Sequence, residues 1–198
     1  MTADHGVDFF EQQFRRQVAR QDYALNPFEQ VALPFVRGRV LDLGCGLGNL
    51  CIEAARRGAD VLAVDGSPTA IERIRAVAKA EKLAIDAVLA DIGTYTIAGQ
   101  FDSIVAIGLL MFFPRRGAHA LLARIQRHVA SGGVALVNTL IEGTTYLDMF
   151  EPERYYLFGR NELAQQFRGW DLLLSTHQGF DAPGGTRKEF ATLAARKP

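Results

Sequence analysis

Apolar residues are distributed along this chain in two alternating textures. Brief, nearly unbroken apolar runs occupy positions 40–43, 59–65, 85–91, 101–107, 134–140, 170–175 and 190–194. Runs this short, rich in Val, Ile, Leu and Ala, read as strands covered on both faces. Between them apolar side chains return at helical spacing. Leu50, Ile52, Ala54 and Ala55 predict a helix from position 49 that Gly58 stops, and Ile71, Ile74, Val77 and Ala78 give a helix over 69–82 its inner face. Leu121, Leu122 and Ile125 do the same over 118–129, and positions 161–167 form a shorter helix. Ser67 followed by Pro68 supplies an N-cap and a first helical position. Strands alternating with helices predict an α/β domain on a parallel sheet.

Residues 1–38 have a different character. Phe9, Phe10, Phe14 and Val18 lie at helical spacing among Glu11, Gln12, Gln13, Arg15 and Arg16, which makes an amphipathic helix with an aromatic stripe. The stretch 22–27 breaks it, and a second short helical pattern follows over 28–36. The organisation expected is therefore a helical cap or lid over 1–38 and a core domain over 39–198. A lid would bring Arg15, Arg16 or Tyr23 near the site.

Length and composition narrow the class. At 198 residues the chain is the size of one domain with a substantial core. No apolar run reaches the roughly 20 residues of a membrane span, and positions 1–12 hold no signal-like apolar segment. Lys plus Arg and Asp plus Glu balance at 22 each, without a dense basic block, so no nucleic-acid footprint is expected. Cys45 and Cys51 lack a second pair for zinc, and no His spacing suggests a metal. A cytoplasmic protein with reduced thiols, acting on a small molecule as a monomer or homodimer, is the expectation.

The candidate chemistry centres on Asp42-Leu43-Gly44-Cys45-Gly46-Leu47-Gly48-Asn49. A strand, a glycine turn and a helix N-terminus bring backbone N–H groups close to a ligand. The dinucleotide fingerprint asks for a third glycine at position 49, where this chain has Asn, so an NAD-linked role is disfavoured. Two further apolar runs also end in carboxylates, at Asp65 and Asp91. Asp65 lies 21 residues after Gly44, the separation suited to a ribose diol at the tip of the second strand.

D-x-G-x-G-x-G resembles motif I of the class I S-adenosylmethionine (SAM) methyltransferases. The resemblance implies a Rossmann-like, seven-stranded, mostly parallel sheet with helices on both faces and an antiparallel last strand. It also implies SAM as cofactor and S-adenosylhomocysteine (SAH) as product. The cofactor residues expected are Asp42, Gly44, Cys45, Gly46, Gly48, Asn49, Asp65, Gly66, Ser67, Asp91, Ile92 and Ile107. Asp42 faces the amino-acid end, Asp91 the adenine amino group, and Ile92 the ring. The loop after the fourth strand, 108–114, would lie beside the methyl group. It is apolar and offers no acid or base, so it permits transfer only to a group already nucleophilic.

The later segments resemble more narrowly the tellurite-resistance methyltransferases of the TehB type. Leu109-Leu110-Met111-Phe112-Phe113, Gly169-Trp170-Asp171 and Arg187-Lys188-Glu189-Phe190-Ala191-Thr192 carry that likeness, across about residues 38–198. Better-known members place a His-Arg pair before the last strand, and here that loop reads Phe180-Asp181-Ala182-Pro183-Gly184-Gly185. Arg187 and Lys188 remain as catalytic candidates, a cationic seat for an oxyanion. Met111, Phe112, Tyr146, Tyr155, Tyr156 and Arg187 are the expected substrate contacts, the tyrosines coming from the aromatic-rich insert over 142–158. A tellurium or selenium oxyanion, an organic thiol, phenol or carboxylate, and a SAM-binding role without catalysis all stay open at this point.

Overall fold

Val40, Leu41 and Leu43 are buried because their strand runs through the middle of a seven-stranded sheet. The computed structural model describes residues 5–198. The strands are β1 (Arg39–Leu43), β2 (Asp60–Asp65), β3 (Ile85–Leu89), β4 (Phe101–Ile107), β5 (Val129–Leu140), β6 (Asp171–Ala182) and β7 (Thr186–Arg196). Their order is β3-β2-β1-β4-β5-β7-β6, with β1 to β5 mutually parallel and β7 antiparallel to both of its neighbours. The helices are α1 (His5–Arg20), α2 (Pro27–Ala32), α3 (Asn49–Arg56), α4 (Pro68–Glu81), α5 (Arg115–His128) and α6 (Glu162–Gln166). No helix among the described residues is long and apolar enough to cross a membrane.

Both faces of the sheet are covered, as strands without polar alternation require. On one side Leu41, Leu43, Ile104 and Ala106 pack with Leu121, Leu122 and Ile125 of α5. On the other Val40, Ala63 and Val105 pack with Leu50 and Ile52 of α3 and Ile71 and Ile74 of α4. The order reverses at β1: β2 and β3 build outward on one side, β4 and β5 on the other. The crevice outside the carboxyl ends of β1 and β4 is where such a sheet binds ligands.

Two expectations are corrected. Positions 180–185 are not a loop throughout. β6 continues to Ala182 in antiparallel register with β7, from Gln178 opposite Phe190 to Ala182 opposite Thr186, and only Pro183–Gly185 make the turn. β6 is a sheet edge and mostly exposed, so its outer half carries none of the apolar signal that marks a buried strand. β5 also starts earlier, at Val129, with a register shift against β4 between Phe101 and Ser103.

Gly48 shows how tightly the turn after β1 is built. It caps α3 with a left-handed backbone, φ +77°, and a methyl group there would run into the side chain of Ile74. Gly48→Ala is expected to lower unfolding stability by about 2–5 kcal/mol, joining the left-handed penalty to overpacking. Urea denaturation checks this, and in the Ile74→Ala background, itself destabilised, the further cost of Gly48→Ala should shrink to the left-handed part.

Candidate active site

Asp65 holds the crevice in shape. Its Oδ2 accepts the backbone N–H of Gly46 at 2.8 Å and its Oδ1 that of Ser67 at 2.8 Å, tying the turn after β1 to the turn after β2. The N–H groups of Gly44 and Cys45 donate to the Val64 carbonyl. Ser67 then caps α4 by accepting from the Ala70 N–H at 3.1 Å. Each Asp65 oxygen keeps a lone pair for a further donor.

Around this frame lies a cavity of about 1170 Å³. Asp42, Gly44, Cys45, Gly46, Asn49, Asp65, Gly66, Ser67, Asp91, Ile92 and Ile107 all line it. Gly48 does not; it serves the turn and the cap. Asp42 is 4% exposed, and burial first, then the neighbouring Glu29 and Asp65 carboxylates, push its pKa up to about 8. Burial likewise raises Glu29 and Asp65, the latter against the pull of its backbone N–H donors. The side-chain oxygen of Asn49 is buried with no hydrogen-bond partner among the described residues, while its Nδ2 donates to the Ala24 carbonyl. This end of the cavity is therefore short of positive charge and of hydrogen-bond donors. A ligand with an ammonium and a sulfonium group supplies both.

The neighbouring end is set by β3. Leu89, Ala90, Asp91 and Ile92 line it. Asp91 is exposed, its Oδ1 accepting the Gly93 N–H at 2.8 Å and its Oδ2 the Thr94 hydroxyl at 3.3 Å. Ile92 is 8% exposed and presents an apolar surface suited to a ring.

Helix α1 lies across the opening. Phe9, Phe10, Gln13, Phe14 and Gln17 line the cavity, and the Phe14 ring stands close against Gly46, where an added Cβ would meet it at 3.2 Å. Phe10 meets Phe112 edge-on at 5.3 Å between ring centres. Glu11 pins the helix to the start of α4, accepting the Ser67 and Thr69 hydroxyls at 2.5 Å each. Burial acts to raise the Glu11 carboxyl, but the Ser67, Thr69 and Arg15 donors outweigh it and bring the pKa to about 2.

Beyond Ile107 the cavity widens into a chamber walled by Phe28, Met111, Phe112, Tyr146, Met149 and Phe190. Asn138, Arg154 and Lys188 are its polar members. Arg187 is corrected: it does not line the cavity. Adjacent residues of a strand point to opposite faces, so only one of Arg187 and Lys188 can turn inward. Lys188 does, above the Tyr146 ring at 4.4 Å, and burial lowers its pKa. Arg187 is exposed and ion-paired to Glu189 and to Asp181 at 3.4 Å. Tyr155 and Tyr156 also stay outside. Tyr155 stacks on Phe150 at 4.7 Å, and the Tyr156 hydroxyl donates to Glu162 beside Phe158. Both rings serve to fix the insert to the domain.

Residues 40–133 match the family described as "Methyltransferase domain". TehB of Haemophilus influenzae, a probable SAM-dependent methyltransferase, is 28% identical over 80% of this chain and 57% of that protein. Its crystal structure superposes with a TM-score of 0.74 at 24% identity, covering 88% of this chain and 63% of the other.

The chain resembles the class I SAM-dependent methyltransferases, the TehB type among them, in its family match over slightly less than half of its length and in fold over most of it.

Hemagglutinin 1 of Eikenella corrodens is 29% identical over 81% of this chain and 55% of that protein. The chain thus spans about half the length of the curated relatives it matches. The 1,6-didemethyltoxoflavin N1-methyltransferase of Burkholderia thailandensis, solved with its substrate and SAH, shares the fold with a TM-score of 0.70 at 20% identity, covering 98% of this chain and 88% of that one. The cofactor this likeness implies is SAM, and the crowded carboxylates, the unpaired Asn49 oxygen and the bare glycine turn fit it.

The charge balance makes a checkable demand. Below its ordinary value of 3.8 the Asp42 carboxyl is neutral in the folded and unfolded chain alike. As pH rises through about 8 it ionises in place, and the ligand-free fold loses the stability that the neutral carboxyl gave it. A cationic ligand favours the ionised form, so binding SAM at pH 7 should release a proton. Calorimetric titration in buffers of different ionisation enthalpy measures this. Asp42→Asn is expected to abolish the release and weaken SAM binding by about 10-fold or more.

Proposed function

We propose that this protein methylates a small aromatic molecule at a nucleophilic oxygen, nitrogen or sulfur. The observation that carries the reading is the aromatic chamber, walled by Phe28, Phe112, Tyr146 and Phe190, opening directly from the cofactor crevice. When bound, SAM supplies a methyl group on positively charged sulfur; the acceptor's lone pair forms the new bond as the carbon–sulfur bond breaks, leaving neutral SAH. The chain's own part is placement and exclusion of water. Asp42, Asn49 and Glu29 would hold the amino-acid end, Asp65 the ribose, and Asp91 with Ile92 the adenine. Ile107 to Phe113 offer no general base, so the acceptor must be nucleophilic as it binds.

A second reading, a tellurium or selenium oxyanion, is favoured by the likeness to TehB and by Lys188 turning into the chamber. The same reaction mixtures decide between them. Purified protein with SAM is offered phenols, aromatic amines, thiols, selenite and tellurite, and SAH is measured by liquid chromatography with headspace mass spectrometry alongside. SAH formed with a ring acceptor supports the aromatic reading. Volatile methylated selenium or tellurium, with no turnover of ring compounds, overturns it. A cytoplasmic setting accords with two free, buried cysteines.

Residues 1–38 belong to this reading as a closing element. α1 lines the crevice and is fastened through Glu11, so its seating excludes water from the reacting atoms. The fastening needs the Glu11 carboxylate: it is complete above the ordinary value of 4.5 and lost as pH falls towards about 2. Glu11→Gln should speed tryptic cleavage after Arg15 and Arg16 about threefold or more at pH 7.5, with bound SAH slowing it in the native protein.

A further inference from the structure

Asn138 is a fully buried amide in an otherwise apolar stretch, and it lines the acceptor chamber. Its Nδ2 donates to the Thr192 hydroxyl at 2.9 Å, which fixes the plane of the amide. Its Oδ1 has no hydrogen-bond partner among the described residues. An orphaned buried carbonyl oxygen costs on the order of 1–3 kcal/mol, so it needs a reason to persist. The chamber provides one, because a ligand placed there can satisfy it.

The second group is Lys188. It lies on β7 with Phe190 and Thr192 at alternate positions, so all three share the face that looks into the chamber. Asn138 pairs directly with Thr192, and Lys188 lies four residues further along β7. At ~3.3 Å per residue the two polar groups are anchored about 13 Å apart. The aromatic walls of Phe190 and Tyr146 stand between them. Lys188 has no carboxylate at ion-pairing distance among the described residues, and its only described contact is the Tyr146 ring. The cations of the chamber are Lys188 and Arg154, and Arg154 is bound to Glu151 at 3.0 Å.

From this placement we infer that the chamber reads its acceptor at two points. Asn138 accepts a hydrogen bond from an O–H or N–H of the acceptor, beside Ile107 and Gly108, and Lys188 seats an anionic group at the acceptor's far end. The inference rests on the aromatic-acceptor reading and narrows it to ring compounds with a donor-bearing heteroatom at one end and a carboxylate or similar anion at the other. Asn138 and Lys188 are then specificity-determining residues. The amide orients the incoming heteroatom by the bond it accepts and removes no proton itself; the acceptor attacks through a free lone pair, and its proton leaves to water once the methyl group has transferred.

Binding to the SAH complex tests this without any turnover. The probes are 4-hydroxycinnamate, its O-methylated analogue 4-methoxycinnamate, and its neutral methyl ester, each titrated calorimetrically. The native protein should bind 4-hydroxycinnamate about 10-fold or more tighter than either analogue, the cost of an unpaired buried group. Asn138→Leu should bring the hydroxy-to-methoxy ratio to within about twofold and leave the acid-to-ester ratio in place; Lys188→Met should do the reverse. Asn138→Ala, which removes the amide without adding bulk, replaces Asn138→Leu if that variant does not fold. Ring acids that bind without either preference, or variants that alter the wrong ratio, overturn the two-point assignment while leaving the aromatic reading intact. If SAH binds but no ring compound does, the aromatic reading fails and this inference falls with it.

Discussion

One carboxylate spanning two turns makes the binding crevice possible. Backbone N–H groups inside a tight turn have no sheet partner and must find an acceptor or remain costly. Asp65 meets that need for Gly46 and for Ser67 at once, so the turn after β1 and the turn after β2 cannot drift apart. Hydrogen bonds to a charged group contribute about 1.5–3 kcal/mol each, enough to hold a short glycine turn in one shape. The start of α4 follows from this, since Ser67 is fixed from both sides. The docking of α1 follows in turn, because Glu11 grips the same serine.

That closeness concentrates negative charge. Asp42, Asp65 and Glu29 share one end of the cavity, while Lys188 and Arg154 lie at the other. The cavity is polarised along its length as a result. Positive charge is favoured at the first end and negative charge at the second. The apolar rings between them lower the local dielectric, so each field acts more strongly there than it would in water.

Much of this was legible in the sequence because strands ending in carboxylates leave a strong trace. Asp42, Asp65 and Asp91 each close an apolar run, and the glycines between Leu43 and Asn49 mark the turn without help from the fold. The acceptor end was legible only in part. Arg187 and Lys188 are neighbours in the chain, and choosing the inward one requires the register of β7. The outer half of β6 is polar because it is a sheet edge, so it reads as a loop. Asn138 did leave a signal, a lone amide within Val134-Ala135-Leu136-Val137-Asn138-Thr139-Leu140. Contacts of α1 left none, since Phe14 reaches Gly46 and Glu11 reaches Ser67 only through the tertiary fold.

The position of the Glu11 fastening has a kinetic meaning. It grips the first residues of α4, over the nucleoside half of the crevice, while the far wall of the acceptor chamber is built from β7 and the insert before it. The nucleoside half is thus covered by a helix held through two hydroxyls, whereas the acceptor chamber has, besides the rings of α1, walls on β7 and the insert. The two halves are therefore unequally enclosed. Any movement of α1 off the nucleoside half must first break the hydrogen bonds that the Ser67 and Thr69 hydroxyls donate to Glu11.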